Sequence, residues 1–211
     1  MYATICTRPD IAFIVHAGKV SIKSRIYGKK VLRYLKRTKN FMLVYGRSEF
    51  LELEGYNDSY LASDVDDRKS TGGYIFMLNG GAISWKSAKQ TVIATSTMET
   101  EFVACFEGMK QVVWLKNFMS DLKIVNLIQK PVRMFCDNNS NVFFAKNNRR
   151  TFASRLMDGK FLKVREQVKK GLIEVQHIST AIMLADPLTK SLPIGEFQKH
   201  VSWMGVLESL D

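Results

Sequence analysis

The tripeptide Asn79-Gly80-Gly81 lies between two apolar runs, Gly73-Tyr74-Ile75-Phe76-Met77-Leu78 and Ala82-Ile83-Ser84-Trp85-Lys86. An asparagine-glycine pair tolerates the positive φ angles of a tight hairpin turn, so the two runs are predicted to be adjacent antiparallel strands. Before them, Leu51-Glu52-Leu53-Glu54-Gly55-Tyr56 alternates as a strand does, and Thr91-Val92-Ile93-Ala94 reads as a further strand after them. A long helix is expected from a cap at Ser96/Thr97 to about Leu122. Glu99, three residues after Ser96, suits a capping box. Phe102, Cys105, Phe106, Met109, Val112, Val113 and Leu115 supply its buried face. A buried strand over 132–136 follows, then a short helix over 141–146 and a longer one over 152–170 that Gly171 ends. A strand over 172–178 and a helix over 183–190 complete the series, and Pro193 separates them from an amphipathic tail. Strands, helix, strand, helices, strand and helix in this order describe a mixed α/β fold with an antiparallel hairpin at its front.

The first 50 residues differ from the rest. Residues 9–22 and 25–38 read as helices, and Phe41-Met42-Leu43-Val44-Tyr45 as a short strand closed by Gly46. Of the 31 Lys and Arg and 20 Asp and Glu, this segment holds 11 and 2, so most of the net charge of +11 lies here. A basic arm on a nearly neutral domain is an electrostatic footprint suited to nucleic acid, although such residues also simply solvate helices. The expected division is residues 1–50, a domain over 51–190 and a tail over 191–211. No run approaches the roughly 18 apolar residues of a membrane span. The amino terminus has no secretory pattern, and Cys6, Cys105 and Cys136 are odd in number and widely spaced. An intracellular location, cytoplasmic or nuclear and without a targeting signal, is therefore expected.

Four acidic residues stand where solvation alone explains them poorly. Asp58 closes the alternating strand, and Glu101 lies in the first turns of the long helix. Asp137 follows the buried strand directly, and Asp186 sits in Leu184-Ala185-Asp186-Pro187-Leu188, an apolar helix start. Carboxylates at strand ends and helix starts can converge on one rim of a sheet, where their like charges require cations. Without a His/Cys cluster, hard oxygen ligands favour Mg2+, with Mn2+ as a substitute. Two such ions about 3.5–4 Å apart would activate water and stabilise the leaving oxygen of a phosphodiester. Any one of these aspartates alone could equally be a turn residue.

Several blocks carry a more specific signal. Gly55-Tyr56-Asn57-Asp58-Ser59 and Asp66-Asp67-Arg68-Lys69-Ser70-Thr71-Gly72-Gly73-Tyr74 resemble the opening of the ribonuclease H domain of copia-type retrotransposon Pol polyproteins. So do Ile83-Ser84-Trp85-Lys86-Ser87, Ser96-Thr97-Met98-Glu99-Thr100-Glu101-Phe102, Cys136-Asp137-Asn138-Asn139-Ser140 and Leu184-Ala185-Asp186-Pro187-Leu188-Thr189-Lys190, in the family's order. Upstream, Cys6-Thr7-Arg8-Pro9-Asp10-Ile11-Ala12 and Val31-Leu32-Arg33-Tyr34-Leu35-Lys36 resemble the segment that joins reverse transcriptase to nuclease. The resemblance implies a ribonuclease H-like mixed sheet and cleavage of the RNA strand of RNA–DNA hybrids. It also implies a metal-binding catalytic set of Asp58, Glu101, Asp137 and Asp186, with Glu99 and Asp64 as rivals for the second and first places. No membrane and no small-molecule cofactor are implied.

Some positions depart from that pattern. Ala153-Ser154-Arg155-Leu156-Met157-Asp158 replaces an Arg-Thr-Lys-His-Ile-Asp block, a second histidine of the family is Leu162, and the linker is shorter between Ser24 and Tyr27. His177 remains as a candidate for assisting product release. No Tyr/Phe-x-Asp-Asp motif occurs, so polymerase activity is not expected. The alternative expectation is a catalytically decayed remnant that still binds nucleic acid.

Overall fold

The computed structural model describes residues 2–20, 24–47, 51–62, 68–123, 130–147 and 155–208, without the side chains of 18–20, 24 and 155–158. Asp64 and residues 153 and 154 of the replaced block therefore lie outside the described residues. The helices are α1 (Tyr2–Cys6), α2 (Ala12–Val20), α3 (Ser24–Arg37), α4 (Thr97–Asp121), α5 (Asn139–Lys146), α6 (Arg155–Lys169) and α7 (Ile194–Trp203). The strands are β1 (Phe41–Leu43), β2 (Leu53–Tyr60), β3 (Thr71–Leu78), β4 (Gly81–Lys89), β5 (Val132–Cys136), β6 (Ile173–His177) and β7 (Val206–Glu208).

The hairpin forms where Asn79 and Gly80 were expected to turn the chain. Their φ angles are +49° and +78°, the left-handed values that this turn demands. It joins β3 to β4 in a five-stranded sheet of order β4-β3-β2-β5-β6. β2 and β4 each run antiparallel to β3, whereas β5 and β6 run parallel to β2. Ser96 caps α4 by accepting from the Glu99 amide. The Glu99 carboxylate reaches back to the amide and hydroxyl of Thr95 rather than to Ser96.

Both faces of the sheet are covered. On one, α4 and α6 pack Phe102, Val112, Phe161 and Val164 against Phe76, Met134 and Val175. On the other, Ile75, Met77 and Ala82 meet Met183, Leu188, Val201, Met204 and Val206. Strands between two apolar layers bury side chains of both parities, and β3 accordingly has no exposed residue while β2 has one, Tyr60 at its end.

Four expected elements differ. No strand forms over 91–94; the ladder instead extends along β4 to Lys89 and ends where the Gln90 amide donates to Ser70 O. From there the chain must cross to the Ser96 cap. In place of the helix expected over 183–190 there is one short 3-10 turn, Asp186–Leu188, preceded by another at Thr180–Ile182. Pro187 has no amide to donate and cannot sit inside an α-helix. The helix expected over 9–22 begins as a 3-10 turn at Pro9–Ile11 and becomes helical at Ala12. Asp58, expected at the end of its strand, lies inside β2, which continues to Tyr60.

The tail and the front segment meet. β7 pairs antiparallel with β1, Leu43 opposite Val206. The Val44 amide donates to Gly205 O, the Gly46 amide to Asn79 O and the Ala82 amide to Met204 O, which ties this small ladder to the hairpin. Gly205, at φ +79°, approaches so closely that a Cβ would stand 2.6 Å from Gly80 O. Trp85 Nε1 donates to Thr4 O and the Lys89 amide to His16 Nε2, which fastens the first helices to β4.

Candidate active site

Each of the four carboxylates comes from a different element. Asp58 is on β2 and Glu101 is in the second turn of α4, while Asp137 follows β5 and Asp186 opens the second 3-10 turn. Tyr56 and Phe135 are register partners in the parallel β2–β5 pair, and two residues on in each chain stand Asp58 and Asp137. The strand alternation that points Asp58 to one face points Ser59 to the other. The Ser59 backbone amide donates to Glu101 Oε1 at 3.2 Å. The Asp58 carboxylate is buried and accepts a hydrogen bond from the Thr189 hydroxyl. Thr180 Oγ1 donates to Asp137 Oδ2 at 3.1 Å. Lys190 Nζ lies 2.9 Å from Asp186 Oδ1 and 3.8 Å from Asp58 Oδ2.

Gly73 makes this arrangement possible. It is the register partner of Asp58 on β3. A Cβ there would stand 2.8 Å from Leu188 Cβ and 3.0 Å from Thr189 Cγ2. A side chain at this position would force the turn that carries Asp186, Thr189 and Lys190 away from the sheet.

The electrostatics follow from burial and crowding. Burial and the charges of Asp58 and Asp137 push Glu101 up to about 9. Asp186 rises to about 7 through burial and the proximity of Asp58, against the ion pair with Lys190. Asp58 is also raised, chiefly by burial and further by Asp137, although Lys190 and Thr189 oppose the shift. The cluster is thus one interacting group of carboxyls, with these three held above the ordinary range.

The donor set fits divalent metal. Ligand atoms of Glu101, Cys136 and Asp137 lie within 4.8 Å of one another. Glu101 Oε2 is buried and has no hydrogen-bond partner among the described residues, as an oxygen aimed at a cation would be. Cys136 does not change the choice of ion, because burial raises its thiol and Sγ accepts from the Asn138 amide. Hard oxygens without thiolate or imidazole suit magnesium or manganese.

Glu99 does not join the cluster, since it is occupied with Thr95. His177 is exposed at the end of β6, opposite Cys136, and Leu162 is exposed on α6. Thr189 and Lys190 were not singled out from the sequence. Their place three and four residues after Asp186 was the available signal, because a helical turn returns those positions to the same side.

A pH dependence of stability follows. The ordinary values of Glu101 and Asp186 are 4.5 and 3.8, and both are raised in the fold. The folded, metal-free protein therefore keeps protons that the unfolded chain has released. This contribution is complete below the ordinary values and is lost as pH rises through about 7 for Asp186 and about 9 for Glu101. The Tm of chelator-treated protein should fall between about pH 5 and about pH 9, and added magnesium should raise Tm more at the upper end. A flat Tm across this range would show that these carboxyls are not raised.

The chain resembles known proteins along nearly its whole length. It is 40% identical over 205 residues to the retrovirus-related Pol polyprotein from transposon TNT 1-94 of Nicotiana tabacum, covering 94% of this chain and 15% of that protein. It is 34% identical over 209 residues to the corresponding polyprotein from transposon RE1 of Arabidopsis thaliana, covering 95% of this chain and 14% of that one. Among solved structures, LC11-RNase H1 in complex with an RNA/DNA hybrid aligns with a TM-score of 0.49 at 15% identity, covering 65% of this chain and 94% of that one. No family model matches the chain. The five-stranded mixed sheet with helices packed on it is the mixed α/β class expected from the sequence, and the sequence homology places the chain among polyprotein relatives. The chain belongs to the copia-type, retrovirus-related Pol polyproteins, and it spans 14–15% of the length of the two named relatives.

Proposed function

We propose that this domain is a metal-dependent endonuclease that cleaves the RNA strand of RNA–DNA hybrids, with Asp58, Glu101, Asp137 and Asp186 as its metal-binding catalytic residues. The observation that carries the reading is the convergence of four carboxylates from four elements into one interacting cluster, in which Glu101 Oε2 is buried and without a hydrogen-bond partner among the described residues. Bound divalent metal would supply a water of lowered pKa and stabilise charge on the leaving oxygen. The chain's own part is to hold the ligands. The Ser59 amide fixes one oxygen of Glu101 and leaves the other available. Thr189 orients Asp58, and Thr180 orients Asp137. Asp137, only partly buried, stands nearest to solvent and so to an incoming phosphodiester.

A second reading is favoured by α3, in which Arg25, Lys29, Lys30, Arg33, Lys36 and Arg37 stand exposed and no acidic residue occurs. Together with the replaced Arg/His block, it describes a remnant that binds nucleic acid without cutting it. A gel assay of an RNA–DNA hybrid labelled on each strand, with magnesium and with chelator, separates the two. Magnesium-dependent cutting confined to the RNA strand is the expected result. Salt-sensitive binding by a folded sample that cuts neither strand would select the second reading.

A further inference from the structure

The geometry points to Lys190 as the built-in counter-cation of the carboxylate cluster, a residue that sets how tightly the site takes up divalent metal. This inference rests on reading the cluster as a metal centre. Lys190 reaches two of the four carboxylates, Asp186 at 2.9 Å and Asp58 at 3.8 Å. The side chains of these two are 6% and 2% exposed, so little water screens them, whereas that of Lys190 is 26% exposed and keeps a route to solvent. Its charge is delivered into the cluster, not spread over the surface.

The local chain fixes this placement. The Thr189 and Lys190 amides both donate to Asp186 O, each at 3.0 Å. These bonds close one turn, so that the fourth residue lies over the first. Leu188, fully buried, anchors that turn against the sheet, and Gly73 admits it. The position is therefore held from both ends.

The consequence for metal is competitive. An ammonium beside Asp58 and Asp186 stabilises the empty cluster, and it repels a divalent ion that uses the same oxygens. Lysine suits such a role because it is a compact charge on a flexible stem that can withdraw toward water. With a charge product of two at several ångströms, even water-like screening makes the repulsion worth roughly tenfold in affinity.

Calorimetric titration of magnesium into wild-type, Lys190→Met, Lys190→Arg and Asp58→Asn proteins tests this. Lys190→Met should bind magnesium roughly tenfold more tightly, and its metal-free form should melt lower than wild type. Lys190→Arg, which keeps the charge, should stay close to wild type. Unchanged or weaker binding by folded Lys190→Met overturns the inference, the weaker result assigning Lys190 to the orientation of Asp186. Should Lys190→Met fail to fold without metal, its recovery at magnesium concentrations below the wild-type Kd supports the inference, and failure to recover overturns it. Wild-type protein that binds no magnesium sensitive to Asp58→Asn removes the metal-centre reading, and this inference with it.

Discussion

Asp58→Asn and Asp137→Asn are each expected to reduce magnesium-dependent hybrid cleavage by roughly a thousandfold, the several kcal/mol that metal-borne charge stabilisation supplies. The substitutions preserve shape, so the loss should not come from unfolding. The amide oxygen of the introduced asparagine could still accept the hydrogen bond that the carboxylate now accepts, from the Thr189 hydroxyl in the first variant and from that of Thr180 in the second. Removing a negative charge from a cluster whose members raise one another should leave the metal-free Tm unchanged or higher. Glu99→Gln is the internal control. Glu99 serves the start of α4 by holding Thr95, so its loss should leave cleavage intact. The measurement is the single-turnover rate of RNA-strand cleavage with Tm recorded on the same samples. Undiminished cutting by both aspartate variants would remove these carboxylates from the reaction.

The reach of the sequence differs between local and distant interactions. The hairpin was legible because Asn79 and Gly80 carry their conformation in their own chemistry, and α4 because Ser96 and Glu99 announce its start. The strand ending before Asp137 was legible because Val132, Met134 and Cys136 alternate inward. What escaped was whatever depends on a partner far along the chain. Nothing in Val206-Leu207-Glu208 says that it pairs with Phe41-Met42-Leu43, at the other end of the chain. The end of β4 at Lys89 is likewise decided by where the ladder with β3 runs out, not by the β-branched residues of 91–94. At the site, the four carboxylates stood out by their places at strand ends and helix starts, and the family resemblance then matched them to a catalytic set, since each alone could be a turn residue. That Thr189 and Lys190 close over Asp58 depends on Gly73 leaving space on β3. A glycine in a strand shows such a space only once its neighbours are in place.

Asp10→Ala and Arg8→Ala are each expected to destabilise the protein by about 3–5 kcal/mol, because each leaves one charge of a buried pair without its partner. Arg8 and Asp10 are 6% and 3% exposed. The guanidinium donates to both carboxylate oxygens, Nε to Oδ1 at 2.9 Å and Nη2 to Oδ2 at 2.7 Å. It also reaches Thr38 O and Oγ1, while the Tyr34 hydroxyl donates to Asp10 Oδ2 at 2.7 Å. Every polar group in this network therefore relies on another, and the network joins the Pro9–Ile11 turn to α3. At roughly 2–4 °C per kcal/mol for a chain of this size, Tm should fall by about 10 °C. The effect should reach the site as well, since Ala12, just beyond the pair, packs in the same apolar cluster as Leu184, Ala185 and Leu188 around Asp186. Arg8→Lys keeps the charge but loses the two-pronged contact, and it should fall between wild type and Arg8→Ala. The double variant Arg8→Met/Asp10→Leu removes both charges and should recover part of the loss. Calorimetric melting of the four variants measures these differences. Single variants that melt within about a degree of wild type would mean that the first 50 residues are not part of the cooperative unit, despite the ladder that β1 forms with β7.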